Sequence, residues 1–256
     1  MRVPRVIPCL LTDGQALVKT RRFADPTYVG DPANILSIFS EFEVDEIVVL
    51  DIAATRERRG PDLGLIARVV DESIVPLAYG GGITRLEEID RIIDMGIEKV
   101  VLNSGWVADP DLVASAAARH GSQAVVVAVD ALRTPQGLRT VTHCGSRVRG
   151  EAPAEWAVRA ADAGAGELLV TSIDREGTRA GYDLELIRSV SDAVTVPVIA
   201  NGGAGSRHDL VRAVRDGRAT AAAAGSIFVF YGSLRAVLVN FPTRAQVREL
   251  FVSAAT

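Results

Sequence analysis

The chain has few aromatic residues, few cysteines and few histidines. Of its 256 residues, 5% are aromatic, 2 are cysteines and 3 are histidines. Cys9 and Cys144 lie far apart in the sequence, which favours free thiols in a reducing, cytoplasmic compartment over a disulfide. His120, His143 and His208 lack the spacing of metal ligands. We therefore expect neither a metal site nor a cofactor.

Long apolar runs and a strong excess of one charge are also missing. No apolar stretch reaches the roughly 20 residues that cross a membrane, and none follows a basic start as in a signal peptide. The formal net charge is -4, which argues against a general affinity for nucleic acid. Neither a membrane nor a nucleic acid is therefore an expected partner.

Short runs of Val, Ile, Leu and Ala alternate with longer amphipathic stretches along the chain. Hydrophobic residues make up 48% of the sequence, and such short runs are typical of strands buried in a parallel sheet. We predict eight strands, at residues 3–11, 46–52, 75–78, 99–103, 124–130, 167–173, 196–200 and 221–226. Eight strand–helix units predict one α/β domain over residues 1–256, a (β/α)8 (TIM) barrel, with an open doubly wound sheet as the alternative.

The two halves of the chain resemble each other. Residues 77–81 (Leu-Ala-Tyr-Gly-Gly) match residues 199–203 (Ile-Ala-Asn-Gly-Gly), and the first predicted strand aligns with the fifth. Asn103-Ser104 likewise matches Gly225-Ser226. Such internal similarity predicts a barrel made of two half-barrels related by a pseudo-twofold axis.

Glycine-rich turns, at residues 80–82 and 202–205, follow the third and seventh predicted strands. Glycine lets backbone N–H groups approach an oxyanion, and a helix start nearby favours negative charge. Since both turns are matched in the duplicated barrel, we predict two phosphate sites across its mouth, with ordinary tight turns as the alternative. The ligand would then be a doubly phosphorylated, ribose-type small molecule. Lys19 is expected in a long loop after the first predicted strand. The predicted phosphate and substrate contacts are Lys19, Gly82, Asn103, Ser104, Thr171, Asn201, Gly202, Gly203, Ala224, Gly225 and Ser226.

Asp130 ends the fifth predicted strand after a run of Val and Ala. The C-terminal end of a barrel strand is the active-site face, and partial burial there raises a carboxyl pKa toward the range of acid–base catalysis. We predict Asp130 as the principal catalytic acid/base, with capping of the following loop as the alternative. Asp51 and Asp174 also end strands and are expected to organise loops, with substrate contact as the alternative.

Several stretches are similar to the cyclase subunit of imidazole glycerol phosphate synthase, over essentially the whole chain. The most specific are residues 121–127 (Gly-Ser-Gln-Ala-Val-Val-Val) and 171–175 (Thr-Ser-Ile-Asp-Arg). The resemblance implies a heterodimer with a class I glutaminase subunit, whose ammonia crosses the barrel and attacks a bis-phosphorylated ribulosyl formimino carboxamide nucleotide. It also implies that Arg5, Glu46, Lys99 and Glu167 form the charged gate for ammonia; a rim of ordinary salt bridges is the alternative.

The chain departs from that family at Leu11, where the family has an aspartate as its second acid/base group. Glu176 replaces another aspartate and is a second candidate catalytic residue, and Asn201 replaces a common serine. These features resemble a paralogous branch that supplies ammonia for amidination of surface sugars, so a sugar amidotransferase is a further candidate partner. Two alternatives stay open: an authentic cyclase of histidine biosynthesis, and a scaffold that only activates a glutaminase.

Overall fold

The computed structural model describes residues 3–14, 16–232 and 234–253 and contains a closed barrel of eight parallel strands. Each strand pairs with the next, and β8 pairs with β1, so that the sheet has no open edge. The predicted (β/α)8 barrel is confirmed, and the open sheet is excluded. The strands are β1 (Arg5–Asp13), β2 (Ile47–Asp51), β3 (Leu77–Gly80), β4 (Lys99–Leu102), β5 (Val125–Thr134), β6 (Glu167–Ser172), β7 (Val198–Asn201) and β8 (Ala221–Ala224).

Helices follow the strands and surround the barrel. Two short helices, Ser104–Ala108 and Ser226–Val229, begin directly after β4 and β8. Over the described ranges, no helix has the length and apolar character needed to cross a membrane. The longer helices are α1 (Pro32–Glu41), α2 (Leu63–Asp71), α3 (Leu86–Asp94), α4 (Leu112–His120), α5 (Pro153–Asp162), α6 (Leu184–Ser191), α7 (Arg207–Arg215) and α8 (Arg244–Ser253).

The alternation of side chains along each strand creates two apolar layers. One layer fills the space between strands and helices and includes Leu36, Phe39 and Trp156. The other fills the inside of the barrel and includes Ile7 and Leu169. The polar side chains that point inward are therefore concentrated at the two ends of the barrel.

Two β-hairpins extend the barrel at matched positions. Residues 16–30, named here the β1 hairpin, form strands Ala16–Arg21 and Ala24–Gly30, the first of which pairs with the end of β1. Residues 137–148, named here the β5 hairpin, pair in the same way with the end of β5. The loop position predicted for Lys19 is wrong, because Lys19 lies in a strand of the β1 hairpin. Both hairpins lengthen their barrel strands beyond the predicted ends.

Helix α6 begins at a buried aspartate. Asp183 Oδ1 accepts a hydrogen bond from the backbone N–H of Leu186 at 3.1 Å. This bond satisfies one of the N–H groups that the first helical turn leaves without a partner.

We expect Asp183→Ala to lower the free energy of unfolding by about 1 kcal/mol, measured by urea denaturation at neutral pH. Asp183→Asn is the matched control, because its side-chain oxygen can still accept the Leu186 N–H. Equal losses of stability in the two variants would show that the cap is not the source of the effect.

Candidate active site

A cavity of about 850 Å³ opens at the C-terminal ends of the barrel strands, the face on which barrel enzymes carry their active sites. Strand ends, both hairpins and the loops after β2 and β6 form its wall. Residues from both halves of the chain therefore face one space. Every predicted catalytic and substrate-contact residue lines it: Lys19, Gly82, Asn103, Ser104, Asp130, Thr171, Glu176, Asn201, Gly202, Gly203, Ala224, Gly225 and Ser226.

The ends of β7 and β8 surround a buried ammonium group; this arrangement is named the second cradle. Gly203 has a φ of +114°, and a Cβ at this position would lie 2.4 Å from a backbone oxygen. Lys19 Nζ donates a hydrogen bond to the carbonyl oxygen of Cys9 at 2.7 Å. A Cβ on Gly225 would lie 1.8 Å from Nζ, so glycine at this position makes room for the ammonium beside the start of the helix at Ser226.

The ends of β3 and β4 form a matching arrangement, named the first cradle. Gly82 has a φ of +69°, and a Cβ there would lie 2.6 Å from the carbonyl oxygen of Arg59. Ser104 begins the short helix after β4, as Ser226 does after β8. Within the described part of the chain, the N–H groups of Gly82 and Gly203 donate to no protein acceptor. The two cradles lie four strands apart around an eight-stranded barrel, and so on opposite sides of the mouth.

Asp130 lies on β5, between the two cradles around the ring of strands. Asn103 Nδ2 donates a hydrogen bond to Asp130 Oδ2 at 3.1 Å. Burial raises the pKa of Asp130 to about 7, and a hydrogen bond with Thr171 only partly opposes this rise. A carboxyl group with this pKa can both donate and accept a proton near neutral pH.

Two positions at the mouth could supply a second proton-transfer group besides Asp130: residue 11, which is the apolar Leu11, and residue 176, which is the carboxyl-bearing Glu176. Leu11 lines the cavity on β1, opposite β5, and is only 8% exposed. Glu176 Oε2 accepts a hydrogen bond from the backbone N–H of Phe23 at 3.2 Å. Burial raises the pKa of Glu176, while the nearby Lys19 lowers it. The side of the mouth opposite Asp130 is therefore apolar at Leu11, and the second carboxyl group lies beside the ammonium.

Asp51 and Asp174 organise loops, as predicted. Arg59 donates to both oxygens of Asp51, at 2.7 and 3.0 Å. Two backbone N–H groups of the same loop also donate to Asp51, at 3.1 and 3.2 Å. Asp174 accepts the backbone N–H of Arg133 at 2.8 Å and thereby joins the ends of β5 and β6.

The turn of the β5 hairpin also lines the cavity and was not predicted from the sequence. His143 and Cys144 are consecutive residues of this turn, and their φ angles are +54° and +53°. The available signal was the β-branched run Thr140-Val141-Thr142, which is typical of a strand. Without the pairing partner, that signal does not say that the turn reaches the barrel mouth.

Four charged side chains of alternating sign form a closed ring at the opposite end of the barrel. Arg5 Nη1 lies 2.5 Å from Glu46 Oε2, and Arg5 Nη2 contacts Glu167. Lys99 Nζ lies 2.8 Å from Glu46 and 2.9 Å from Glu167. Both glutamates are buried. The structure thus brings together all four residues predicted for the gate. These four residues are named here the charged ring.

The raised pKa of Asp130 predicts how the stability of the chain depends on pH. Its value rises from 3.8 to about 7 on folding, so between these values the folded chain holds a proton that the unfolded chain has lost. Rising pH then destabilises the fold. Asp130→Asn cannot ionise and escapes this loss.

The free energy of unfolding of Asp130→Asn, minus that of the unsubstituted chain, should therefore increase as the pH rises toward 7 and then stay constant. Urea denaturation at several pH values measures this difference. Glu176 is present in both proteins, so its own titration cancels. A difference independent of pH would rule out the raised pKa of Asp130.

Comparison with known proteins identifies relatives over the full length of the chain. The family described as "Histidine biosynthesis protein" matches residues 5–235. A Leptospira interrogans protein named "Putative imidazole glycerol phosphate synthase subunit HisF" is 42% identical over 253 residues, which cover 98% of this chain and 100% of the relative. A Pseudomonas aeruginosa protein named "Putative imidazole glycerol phosphate synthase subunit hisF2" is 45% identical to this chain over 239 residues, which cover 93% of this chain and 95% of the relative.

A third relative gives the same result. The Leptospira borgpetersenii HisF protein, which has the same name as its L. interrogans counterpart, is 38% identical over 250 residues, covering 97% of this chain and 98% of the relative. The chain therefore belongs to the histidine biosynthesis protein family, among the HisF-like cyclase barrels of imidazole glycerol phosphate synthase.

Proposed function

We propose that this barrel is the ammonia-using subunit of a glutamine amidotransferase, binds a bis-phosphorylated ribose-type ligand, and acts outside histidine biosynthesis. The observation that carries the proposal is the mouth itself, which brings two glycine cradles and Asp130 together with Leu11, at the position where the family resemblance implies a catalytic aspartate. The physiological role would be amidination, with a class I glutaminase as ammonia source and a sugar amidotransferase as a further candidate partner.

The second cradle supports binding of a phosphate group. Lys19 is a buried cation whose pKa is lowered by burial, although Cys9 and Glu176 oppose this effect. A buried ammonium is costly unless a partner compensates its charge. A phosphate beside Gly203 and Gly225 would supply the compensating negative charge and would also accept hydrogen bonds from the backbone N–H groups.

The charged ring and the barrel interior support passage of ammonia. The ring lies at the end of the barrel opposite the mouth, which would place the glutaminase there. Apolar side chains fill the interior between the two ends, and several of them are small. Such a medium disfavours the ammonium ion much more than neutral ammonia. The small interior residues are Cys9, Ala78, Ala128, Ala221 and Ala223.

Asp130 is the residue we propose for proton transfer at the reacting atoms. Its carboxyl group, oriented by Asn103, can accept a proton from the attacking nitrogen or give one to a leaving oxygen. Leu11 can do neither. Loss of one proton-transfer group typically costs roughly 10²- to 10⁴-fold in rate, so the two-group cyclase reaction of the family should be slow in this chain.

We expect the unsubstituted barrel, given ammonia and the histidine-pathway nucleotide, to turn over slowly, and Leu11→Asp to increase kcat by about 10²- to 10⁴-fold. Leu11→Asn is the matched control, because it is polar and similar in size but cannot transfer a proton. The gain should disappear when Asp130→Asn is combined with Leu11→Asp. Product formation by the purified proteins measures these rates.

An authentic histidine-pathway cyclase is the second candidate function. The observation in its favour is Glu176, which lines the same cavity and whose pKa is raised by burial. An ordinary cyclase rate in the unsubstituted barrel, together with little effect of Leu11→Asp, would favour this function. A scaffold that only activates a glutaminase is favoured if neither cradle binds an anion while glutaminase activation is retained.

Lys19→Met should weaken binding of ribulose 1,5-bisphosphate by about 10- to 100-fold, because a charge-assisted hydrogen bond is worth about 1.5–3 kcal/mol. Isothermal titration calorimetry at fixed salt measures the affinity. Arg21→Met is the matched control: it removes the same charge from an exposed position of the same strand that does not line the cavity. Equal losses in the two variants would contradict a specific role of Lys19.

A further inference from the structure

The turn of the β5 hairpin lies level with the C-terminal ends of the barrel strands. Val141 pairs with Asp130, so the following turn, residues 143–146, lies at the mouth of the barrel. The backbone N–H of His143 donates to Ser104 Oγ at 3.0 Å. This bond places His143 directly beside the first cradle.

The turn also contacts other sides of the mouth. Cys144 Sγ donates to the carbonyl oxygen of Ile52 at 3.4 Å, and a Cβ on Gly145 would lie 3.2 Å from the Phe23 ring. These contacts hold His143 and Cys144 in the left-handed region, which is unfavourable for residues with side chains and is often retained at ligand sites. The turn is therefore fixed across the mouth.

The β5 hairpin reaches the first cradle one residue further along than the β1 hairpin reaches the second. By the pairing of the two hairpins with β1 and β5, Lys19 is matched by Thr142, and His143 is the next residue. Lys19 brings its side-chain Nζ against Gly225 in the second cradle, whereas His143 donates its backbone N–H to Ser104 in the first. His143 also lines the cavity, so each half-barrel brings a hairpin residue with a side-chain nitrogen to its own cradle.

The imidazole of His143 has a nitrogen available to a ligand. Nδ1 lies 3.1 Å from Thr142 Oγ1, while Nε2 has no hydrogen-bond partner among the described residues. Burial, together with Arg147 and Arg149, lowers the pKa of His143 from its ordinary value. This environment favours the neutral form of the ring before an anion binds.

We propose that His143 contacts the anionic group bound in the first cradle and takes up a proton when that group binds. The inference rests on the proposed function, since it assumes two phosphate-binding cradles, and it adds the residue that makes one of them pH-dependent. A dianion next to Nε2 favours the imidazolium form. Lowering the pH should then strengthen anion binding in the first cradle more than in the second cradle.

Other charged groups surround the turn and must be separated from His143 in the test. Arg147 and Arg149 act on His143 from its own hairpin. Asp130, Arg56 and Asp51 act on the neighbouring Cys144 from β5 and from the end and loop of β2. Because Asp130 also titrates near neutral pH, the protonation of His143 has to be observed directly.

The test is a pH titration of the imidazole ¹⁵N signals in the full-length protein, with sulfate and with chloride at equal ionic strength. Sulfate is a tetrahedral dianion that does not titrate in this range. We expect sulfate to raise the pKa of His143 by at least about 1 and to leave that of exposed His208 unchanged. His143→Gln assigns the signal, and the shift should persist in Lys19→Met and in Asp130→Asn.

Three results would overturn the inference. If calorimetry shows that sulfate binds while the pKa of His143 does not change, His143 is not the contact, and the two-cradle function stands. If neither sulfate nor ribulose 1,5-bisphosphate binds, the inference and the proposed function both fail. Loss of the shift in Lys19→Met would place the observed anion in the second cradle and would also contradict the inference.

Discussion

Closure of the parallel sheet between β8 and β1 is the constraint on which the rest of the structure depends. Pairing of Arg5 with Ala221 through Pro8 with Ala224 joins the two ends of the sheet. Closed parallel strands place all their C-terminal ends on one rim and all their N-terminal ends on the other. Proton-transfer and anion-binding groups can then collect at the mouth, while charged residues at the strand starts meet in a ring.

The mouth combines a symmetric frame with asymmetric chemistry. Both halves provide a glycine turn, a helix start and a hairpin that reaches toward the helix start. The side chains on this frame differ: Asp130 faces Leu11 across the barrel, and Lys19 of one hairpin is matched by Thr142 of the other, the residue before His143. In the proposed function, the shared backbone would bind anions at two points, whereas the differing side chains would determine where protons can move. Ligand binding and reaction type would therefore depend on separate features of the same mouth.

The sequence was sufficient to predict the barrel, the two glycine turns and the residues around the mouth, because each depends on local patterns and on the rule that parallel strand ends meet. It was not sufficient for the two hairpins. Lys19 was assigned to a loop, since a hairpin strand lies outside the alternation of strands and helices that reveals the barrel strands. His143 was considered only as a metal ligand, because its position depends on a long-range contact with Ser104.

The central claim is that two anionic groups bind on opposite sides of one barrel mouth. A crystal structure with ribulose 1,5-bisphosphate bound tests it most directly. The account predicts one phosphate against Gly82 and Ser104 and the other against Gly203 and Ser226, with Asp130 facing the sugar between them. A ligand held by only one phosphate, or bound outside this cavity, would contradict it.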